Sequence, residues 1–284
     1  MPHKKKISVI SICFAKHSDV WRLTSELLPK NVQADEYLVY VPANEIEFFQ
    51  KITNPKVEIR AQEDLGSIFR DTLIDALSST DNSKRLGWYL QQLYKIEAMR
   101  ISKSEIVAIW DADCVPVTEI NLVDLRESPL YLDSSRELHQ PYFQTIQRLL
   151  GMTRVQDLSF VIPGFPMKHE WVVDFVNFVE KKHGIPWYEA IIRNTDMTQV
   201  SGFSETETLG TWLANKYPGQ WSVEKGTWER LGQSRFGYAK KFTPSELEIL
   251  GKNRNLQIIT FENWDVRGLR RIYRSIKFKL LHFR

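Results

Sequence analysis

The sequence predicts an α/β fold in which a doubly wound, mostly parallel central sheet is flanked by helices. Short runs rich in Ile and Val alternate with amphipathic segments through the first 117 residues. Such runs are typical of strands that are buried on both faces of a parallel sheet, and the alternation of strand and helix is typical of doubly wound folds. The 284 residues show neither a linker nor a repeat, which favours one domain.

The first half of the chain supplies most of the predicted sheet. Ser18 is a candidate N-cap for the first helix, because its hydroxyl can accept a hydrogen bond from the first turn. Residues 65–86 are mixed and predict helix and loop. Strands are predicted over 6–14, 35–42, 55–64 and 104–113, and helices over 18–30, 43–52 and 86–102.

The second half is less regular. Residues 157–184 predict a strand, a Pro/Gly turn and a helix, in that order. Further strands are predicted over 129–135 and 255–264, and further helices over 137–151, 186–194, 204–218 and 265–284. We divide the predicted domain into two halves, 1–117 and 118–264, followed by the C-terminal helix 265–284.

Composition excludes several classes of protein. No run of about 18 apolar residues is present, so no transmembrane helix is expected, and the apolar stretch near the N-terminus is too short for a signal peptide. Cys13 and Cys114 lie in apolar runs and are expected to be buried free thiols in a reducing cytoplasm. The net charge is +3, but residues 265–284 hold seven Lys or Arg and one Asp, which is +6. This concentration in one patch argues against a nucleic-acid-coating protein.

Two aspartates stand at the end of the apolar run 106–110. Asp111 and Asp113 are one residue apart, so in an extended backbone their side chains point to the same side. Ligands of open parallel sheets bind at the carboxyl ends of strands, and two neighbouring carboxylates need a compensating cation. Mg²⁺ or Mn²⁺ suits them, with substrate phosphates completing the coordination. The alternative is a pair of turn aspartates that cap the following segment.

The order of three motifs adds a family resemblance. "GWYLQQLYKIEA" (87–98), the D-x-D of Asp111 and Asp113, and "GFSETETLG" (202–210) resemble a bacterial polysaccharide-biosynthesis subgroup of GT-A fold glycosyltransferases, over roughly residues 6–265. The resemblance implies a Rossmann-related fold whose first half binds a nucleotide-sugar and whose second half binds the acceptor. It also implies a divalent metal that bridges Asp113 to the donor diphosphate, with Asp111 near the ribose or the sugar.

The helix before the aspartates carries candidate donor-binding side chains. Gln91 and Lys95 are four residues apart and share a face, whereas Gln92 lies within the apolar stripe. A buried glutamine needs partners, because an unsatisfied polar group costs about 1–3 kcal/mol. These three side chains are predicted to reach a sugar or phosphate. The alternative is that Gln92 bonds local backbone and Lys95 is solvated.

Two glutamates follow a second cap candidate, Ser204. Glu205 and Glu207 suit the positive end of a helix, which is a purely structural explanation for both. Inverting sugar transfer needs a carboxylate base, and one of the two is a candidate, with Glu205 preferred. Asp196 is a weaker candidate. A retaining enzyme would need no such base, and these residues would then orient the acceptor.

Other donor contacts are predicted from position alone. Phe14 and Lys16 follow the first strand, and Asp64 follows the third. Arg235 lies in a segment, 228–241, that is interpreted either as a loop closing over the diphosphate or as plain surface. No G-x-G-x-x-G or P-loop motif is present. Many GT-A enzymes use a late histidine as a metal ligand, but none lies between His183 and His282, so His183 or water would substitute.

The sequence thus predicts a cytoplasmic glycosyltransferase with Mn²⁺ or Mg²⁺ as cofactor. The expected partners are a nucleotide-diphosphate sugar, by default a UDP-sugar, and a saccharide or lipid-linked saccharide acceptor. The basic amphipathic stripe of 265–284 suggests peripheral contact with an anionic membrane at its inner face. The alternatives are a sugar-phosphate nucleotidyltransferase, which also uses paired aspartates, and a non-catalytic carbohydrate-binding protein.

Overall fold

The computed structural model describes residues 5–262 and Asp265. Within them the strands are β1 (Ile7–Ile12), β2 (Glu36–Val41), β3 (Val57–Ala61), β4 (Ile106–Trp110), β5 (Cys114–Pro116), β6 (Leu130–Asp133), β7 (Gly164–Lys168), β8 (Ser222–Lys225), β9 (Trp228–Glu229) and β10 (Ile258–Thr260). The helices are α1 (Ser18–Asn31), α2 (Ile46–Gln50), α3 (Ile68–Ser78), α4 (Leu86–Ile101), α5 (Gln140–Leu150), α6 (His169–His183), α7 (Trp187–Asn194), α8 (Glu205–Lys216), α9 (Gly232–Phe236) and α10 (Pro244–Arg254).

The central sheet has the strand order β3-β2-β1-β4-β7. The first four strands in the chain are parallel, and β7 runs antiparallel to β4 at the edge. The chain moves outward from β1 through β2 to β3 and then crosses to β4 on the other side of β1. This reversal creates a switch point between β1 and β4, where doubly wound folds bind ligands. The predicted fold class is confirmed.

Helices cover both faces of this sheet, which explains the continuous apolar runs. Ile10 and Ile12 of β1 belong to the large core cluster that includes residues of α3, α4, α6, α7 and α8. Ile7 and Val9 point the other way and join the cluster containing Leu28 of α1. Because alternate side chains face opposite sides of a sheet, most residues of a strand covered on both sides are apolar, and the buried Ser11 of β1 satisfies its hydroxyl by donating to the carbonyl of Trp110 at 2.9 Å.

A small second sheet, β5-β10-β9, extends from the aspartate pair. β5 begins at Cys114, directly after Asp113, and pairs antiparallel with β10. The backbone N–H of Phe261 donates to the carbonyl oxygen of Asp113 at 3.0 Å. The late strand is thereby placed next to the end of β4, so residues near 262 lie close to the aspartates.

The end of the strand predicted over 104–113 is a turn. The N–H of Cys114 donates to the carbonyl oxygen of Asp111 at 3.0 Å, so Asp111 and Asp113 lie in this turn after β4 and not in the extended backbone that was predicted.

Two further local predictions are wrong. The predicted strand begins not within 157–163 but at Gly164, inside the presumed Pro/Gly turn. A Cβ at Gly164 would lie 2.7 Å from the Trp110 ring, so this glycine serves close packing, and Pro166 is tolerated because β7 is an edge strand. Ser18 does not cap α1, because a 3-10 turn at Ala15–His17 runs directly into the helix, whose N-cap is His17 without a side-chain hydrogen bond.

Other predictions hold. Ser204 caps α8, since its hydroxyl accepts a hydrogen bond from the N–H of Glu207. Cys13 and Cys114 are buried free thiols. No helix in the described part of the chain is long and apolar enough to cross a bilayer. The predicted helix 265–284 lies, after Asp265, outside the described residues, and the division at residue 117 stays a prediction.

Candidate functional site

A buried lysine joins two carboxylates at the switch point. Lys95 Nζ lies 2.5 Å from Asp111 Oδ1 and 2.6 Å from Glu205 Oε1. The side chains of Lys95 and Glu205 are each 7% exposed, whereas that of Asp111 is 37% exposed. Burial alone lowers the pKa of Lys95, but the charges of Asp111 and Glu205 outweigh it and raise the pKa above its ordinary value. The ammonium therefore stays protonated, with one of its two carboxylates open to a ligand.

Helix α4 connects three elements through neighbouring polar side chains. Gln91 Nε2 donates to the carbonyl of Ile12, at the end of β1, at 3.1 Å. Gln92 Oε1 accepts from the N–H of Glu205 at 3.2 Å, and its Nε2 donates to the Trp88 carbonyl at 3.5 Å. Gln92 thus bonds both local backbone and the start of α8. The end of β1, the end of β4 and the start of α8 are held around one helix face.

Asp113 lies beside this network, and within residues 5–262 and Asp265 its side chain has only a weak hydrogen-bond partner. Burial raises its pKa to about 6, the charge of Asp111 adds to this, and Lys95 opposes it. Its Oδ1 accepts a weak hydrogen bond from Cys114 Sγ at 3.6 Å. A carboxylate in this state is poised to bind a cation, because a positive charge would relieve both the burial and the repulsion.

Sequence reasoning missed an ion-paired group on the other side of Asp113. Glu262 follows β10, and burial, together with the charge of Asp113, raises its pKa to about 7 while Arg230 opposes the shift. Arg230 contacts Glu262 through Nε at 3.2 Å and Glu137 through Nη1 at 2.5 Å. The sequence did contain a signal for Glu262, because this residue follows the apolar run of β10 just as Asp111 follows the apolar run of β4.

The donor set fits a hard divalent ion. Asp111 and Asp113 supply carboxylate oxygens, and Mg²⁺ in proteins is commonly held by one or two carboxylates with phosphate oxygens and water. Across residues 5–262 and Asp265, no group of three or more His, Cys, Asp or Glu is arranged to hold a metal. The Nε2 of His183 instead lies 2.8 Å from the carbonyl of Leu149.

The two glutamates of α8 have different surroundings. Glu205 binds Lys95, whereas Glu207 is 1% exposed and its Oε2 accepts from the N–H of Phe160 at 2.9 Å. Burial raises the pKa of Glu207 to about 7, and the Phe160 hydrogen bond opposes the shift. Its Oε1 has no hydrogen-bond partner in the described part of the chain. The two carboxylates therefore point in different directions, and Glu205 is the one that contacts Lys95.

Apart from the neighbours Phe14 and Lys16, the remaining predicted residues lie apart from one another in the described structure. Lys16 Nζ lies 5.5 Å from the centroid of the Phe14 ring, and Asp64 is exposed in the turn after β3. Arg235 is paired with Glu229, and Asp196 accepts from the N–H and hydroxyl of its own loop residue Thr198. No described contact joins any of these side chains to Asp111 or Lys95.

Gln62 is a second residue that sequence reasoning missed. It is 5% exposed, and its Nε2 donates to the carbonyls of Cys13 at 3.0 Å and Tyr40 at 3.2 Å. These carbonyls follow β1 and lie near the end of β2. Gln62 therefore joins the carboxyl ends of three strands at the edge where Phe14, Lys16 and Asp64 lie.

Comparison with solved structures supports the fold. The apo crystal structure of mouse xyloside xylosyltransferase 1 is similar to 93% of this chain and to 100% of its own chain, with a TM-score of 0.51 and 9% sequence identity. At this identity the likeness shows a shared fold. It agrees with the predicted α/β architecture, in which helices flank a mostly parallel central sheet.

Sequence comparisons are more limited. No curated protein matches the chain. A family model described as a family of unknown function, DUF6492, matches residues 23–216. This region runs from within α1 to the end of α8 and includes the Lys95 network and Asp113. Since the match spans more than half of the sequence, the chain belongs to the DUF6492 family.

Proposed function

We propose that this protein is a metal-assisted glycosyltransferase that moves a sugar from a nucleotide-diphosphate donor to a saccharide or lipid-linked saccharide acceptor. One observation carries the proposal. Asp111 and Asp113 lie at the carboxyl end of β4, at the switch point of a doubly wound sheet, with the buried ammonium of Lys95 bound to Asp111. The fold shared with a xylosyltransferase supports it.

Asp113 and the second carboxylate oxygen of Asp111 are the protein groups that would hold Mn²⁺ or Mg²⁺. The ion, when bound, supplies positive charge that offsets the charge on the departing diphosphate. Oδ1 of Asp111 is occupied by Lys95. This contact orients the carboxylate and leaves its other oxygen for the ion or for a donor hydroxyl.

Lys95 and Glu205 are proposed to act as one unit. Glu205 fixes the ammonium from one side and Asp111 from the other, so the positive charge is held at the site before a donor arrives. Such preorganised charge costs no reorganisation during transfer. Glu205 then either takes the acceptor proton in an inverting reaction or orients the acceptor in a retaining one, and Glu207 supports the Phe160 segment.

The nucleotide is proposed to lie over the carboxyl ends of β1, β2 and β3. Phe14, Lys16 and Asp64 are at this edge, and Gln62 holds it together. A UDP-sugar is the default donor, and Arg235 would contribute charge near the diphosphate after rearrangement of its pair with Glu229. An inner-membrane location through 265–284 belongs to the same proposal and lies, beyond Asp265, outside the described residues.

Binding of nucleoside diphosphates tests the proposal. UDP, GDP, ADP and CDP are titrated in thermal-shift and calorimetric experiments, with and without Mn²⁺. We expect one of them to stabilise the protein only with Mn²⁺, and Asp113→Ala to abolish the effect. Asp75→Ala, which removes an exposed carboxylate of α3, is the matched control and should behave as the unmodified protein.

Two outcomes would overturn the proposal. Equal stabilisation without Mn²⁺, or in Asp113→Ala, contradicts metal bridging by the aspartates. Turnover of a nucleoside triphosphate and a sugar phosphate with release of diphosphate would establish a nucleotidyltransferase instead. Release of nucleoside diphosphate from a matching nucleotide-sugar, dependent on the added acceptor, is the result expected for glycosyl transfer.

A further inference from the structure

The loop between α7 and α8 is held by side chains along its length. Residues 196–202 form no helix or strand, yet the carbonyl oxygen of every residue from 197 to 202 accepts a hydrogen bond from a side chain. The partners come from the start of α4 and the turn before it, and from α5 and its N-cap: Asn82, Arg85, Tyr89, His139 and Thr145. Loops usually run over the surface with their backbone open to water, whereas this loop is fixed to two helices.

One face of α4 makes several of these contacts. Arg85, Tyr89 and Gln92 are spaced by four and three residues, so they lie on the same face of the helix. Arg85 Nε donates to the carbonyl of Val200 at 2.7 Å, and its Nη2 donates to the hydroxyl of Ser201 at 3.2 Å. The guanidinium therefore binds two successive residues of the loop and holds them against the start of α4.

The hydroxyl of Tyr89 binds the end of the loop. It accepts from the N–H of Gly202 at 3.2 Å and donates to the carbonyl of Gln199 at 3.4 Å. From the other side, the hydroxyl of Thr145 donates to the carbonyl of Gly202 at 2.7 Å. A Cβ at Gly202 would lie 2.6 Å from the carbonyl oxygen of Asp196 and 3.3 Å from the Tyr89 hydroxyl. A side chain at this glycine would therefore displace the loop from α4.

The loop leads directly into Glu205. The N–H of Glu205 donates to Gln92 Oε1 at 3.2 Å, and its Oε1 accepts from Lys95 at 2.6 Å. Helix α4 thus holds the loop, the backbone at the start of α8 and the Glu205 carboxylate. Only residues 203 and 204 separate the fixed Gly202 from Glu205, so a shift of the loop would move this carboxylate relative to Lys95.

We propose that Arg85 and Tyr89 are positioning residues, which fix the loop 196–202 so that Glu205 enters α8 in contact with Lys95. The inference rests on the proposed glycosyltransferase function, because Glu205 is the proposed base or acceptor-orienting group of that reaction. No described contact joins Arg85 or Tyr89 to the two aspartates after β4. Their effect therefore falls on the acceptor step, where a small misplacement of a reacting group slows the reaction strongly.

A double-mutant cycle of unfolding free energies tests the inference without measuring activity. Tyr89→Phe keeps the buried ring and removes the hydroxyl, and Glu205→Gln removes the charge that Lys95 binds. We expect the change in stability caused by Glu205→Gln to be smaller by about half or more in the Tyr89→Phe background, whereas a merely structural hydroxyl would contribute additively. Tyr94→Phe is the matched control, because Tyr94 is also buried in α4 but contacts Phe69 of α3, and its hydroxyl has no hydrogen bond in the described part of the chain.

Hydrogen exchange and kinetics give two further measurements. In Tyr89→Phe the amides of residues 199–205 should exchange about tenfold faster or more, while those of β4 keep their rates. The kcat of acceptor-dependent transfer should fall about tenfold or more at an unchanged KM for the nucleotide-sugar. Arg85→Met should reproduce both effects, and Arg85→Lys, which keeps one donor, should restore part of each.

Failure of the inference and failure of the proposed function give different results. Additive changes in the cycle, or an effect of Tyr89→Phe no larger than that of Tyr94→Phe, overturn the inference. An unchanged kcat in both Tyr89→Phe and Arg85→Met also overturns it. If the proposed function is wrong, the unmodified protein binds no nucleoside diphosphate with Mn²⁺, while a non-additive cycle still supports the positioning of Glu205.

Discussion

The carboxylate of Glu205 lies 2.6 Å from the ammonium of Lys95, although 110 residues separate them in the chain. The same ammonium binds Asp111 at 2.5 Å. One lysine of α4 therefore ties the first turn of α8 to the end of β4. These two contacts join the three motifs that resemble glycosyltransferases, and they make the position of each motif dependent on the others.

Replacing Lys95 should destabilise the protein strongly. Lys95→Met leaves two carboxylates at the switch point without their cation, and breaking a buried pair in this way costs about 3–5 kcal/mol. Urea unfolding followed by circular dichroism measures the change. Lys30→Met removes a lysine whose side chain is 60% exposed in its pair with Glu248, and such a pair contributes at most about 1 kcal/mol. Equal losses in the two variants would contradict the prediction.

Stability should depend on pH through Glu207. Its pKa in the fold, about 7, lies above the ordinary value of 4.5, so the folded state binds the proton more tightly than the unfolded state does. The free energy of unfolding therefore falls as the pH rises from about 4.5 to about 7, by roughly 3 kcal/mol from this group. Glu207→Gln should lack this part of the fall in urea unfolding between pH 4.5 and 7.5.

Glu246→Gln is the control for that series. Hydrogen bonds from the backbone N–H and the hydroxyl of Thr243 lower the pKa of Glu246. The contribution of Glu246 to the free energy of unfolding is therefore complete above the ordinary pKa of a glutamate, and it is lost only as the pH falls. Parallel pH profiles for Glu207→Gln and the unmodified protein would show that Glu207 is not responsible for the fall.

Two glycine-to-alanine changes in helices should act in opposite directions. A Cβ at Gly210 of α8 would lie 2.0 Å from Phe160 Cγ, whereas a Cβ at Gly87 of α4 meets nothing within 4 Å. Overpacking of this kind costs about 1–3 kcal/mol, while a compatible Gly→Ala change stabilises by about 0.4–1 kcal/mol. Thermal unfolding of both variants measures the difference, and a Gly210→Ala protein as stable as Gly87→Ala would refute it.

Replacing Gln62 should lower the free energy of unfolding more than its position in the turn after β3 suggests. Gln62→Leu removes the buried donor shared by the carbonyls of Cys13 and Tyr40, and leaving such groups unsatisfied costs about 1–3 kcal/mol. Urea unfolding of Gln62→Leu measures this loss. Gln50→Leu, at an exposed position, should change stability by less than about 0.5 kcal/mol. A Gln62 variant within the range of this control would show that the two carbonyls find other donors.

The local sequence pattern was sufficient to predict an element wherever the residues expected to be buried also had the spacing of that element. The runs at β1, β2 and β4 were predicted because strands covered on both faces are mostly apolar, although Ser8 and Ser11 are buried within β1. The segment around Gly164 was misassigned because Pro and Gly normally mark turns. There, the ring of Trp110 leaves no space for a Cβ at Gly164, and the edge position of β7 accepts a proline. Neither fact can be predicted without knowing that β4 lies beside this segment.

The sequence by itself determined the doubly wound fold and the position of Asp111 and Asp113, since both depend on the order of apolar runs along the chain. Only the tertiary structure decided that Lys95 binds Glu205 as well as Asp111, and that Glu262, which is paired with Arg230, lies near Asp113. These contacts join residues far apart in sequence, and their partners follow from how α4, α8 and β10 pack around β4. Side-chain periodicity reports which face is buried, but the identity of what covers that face is a property of the packed structure.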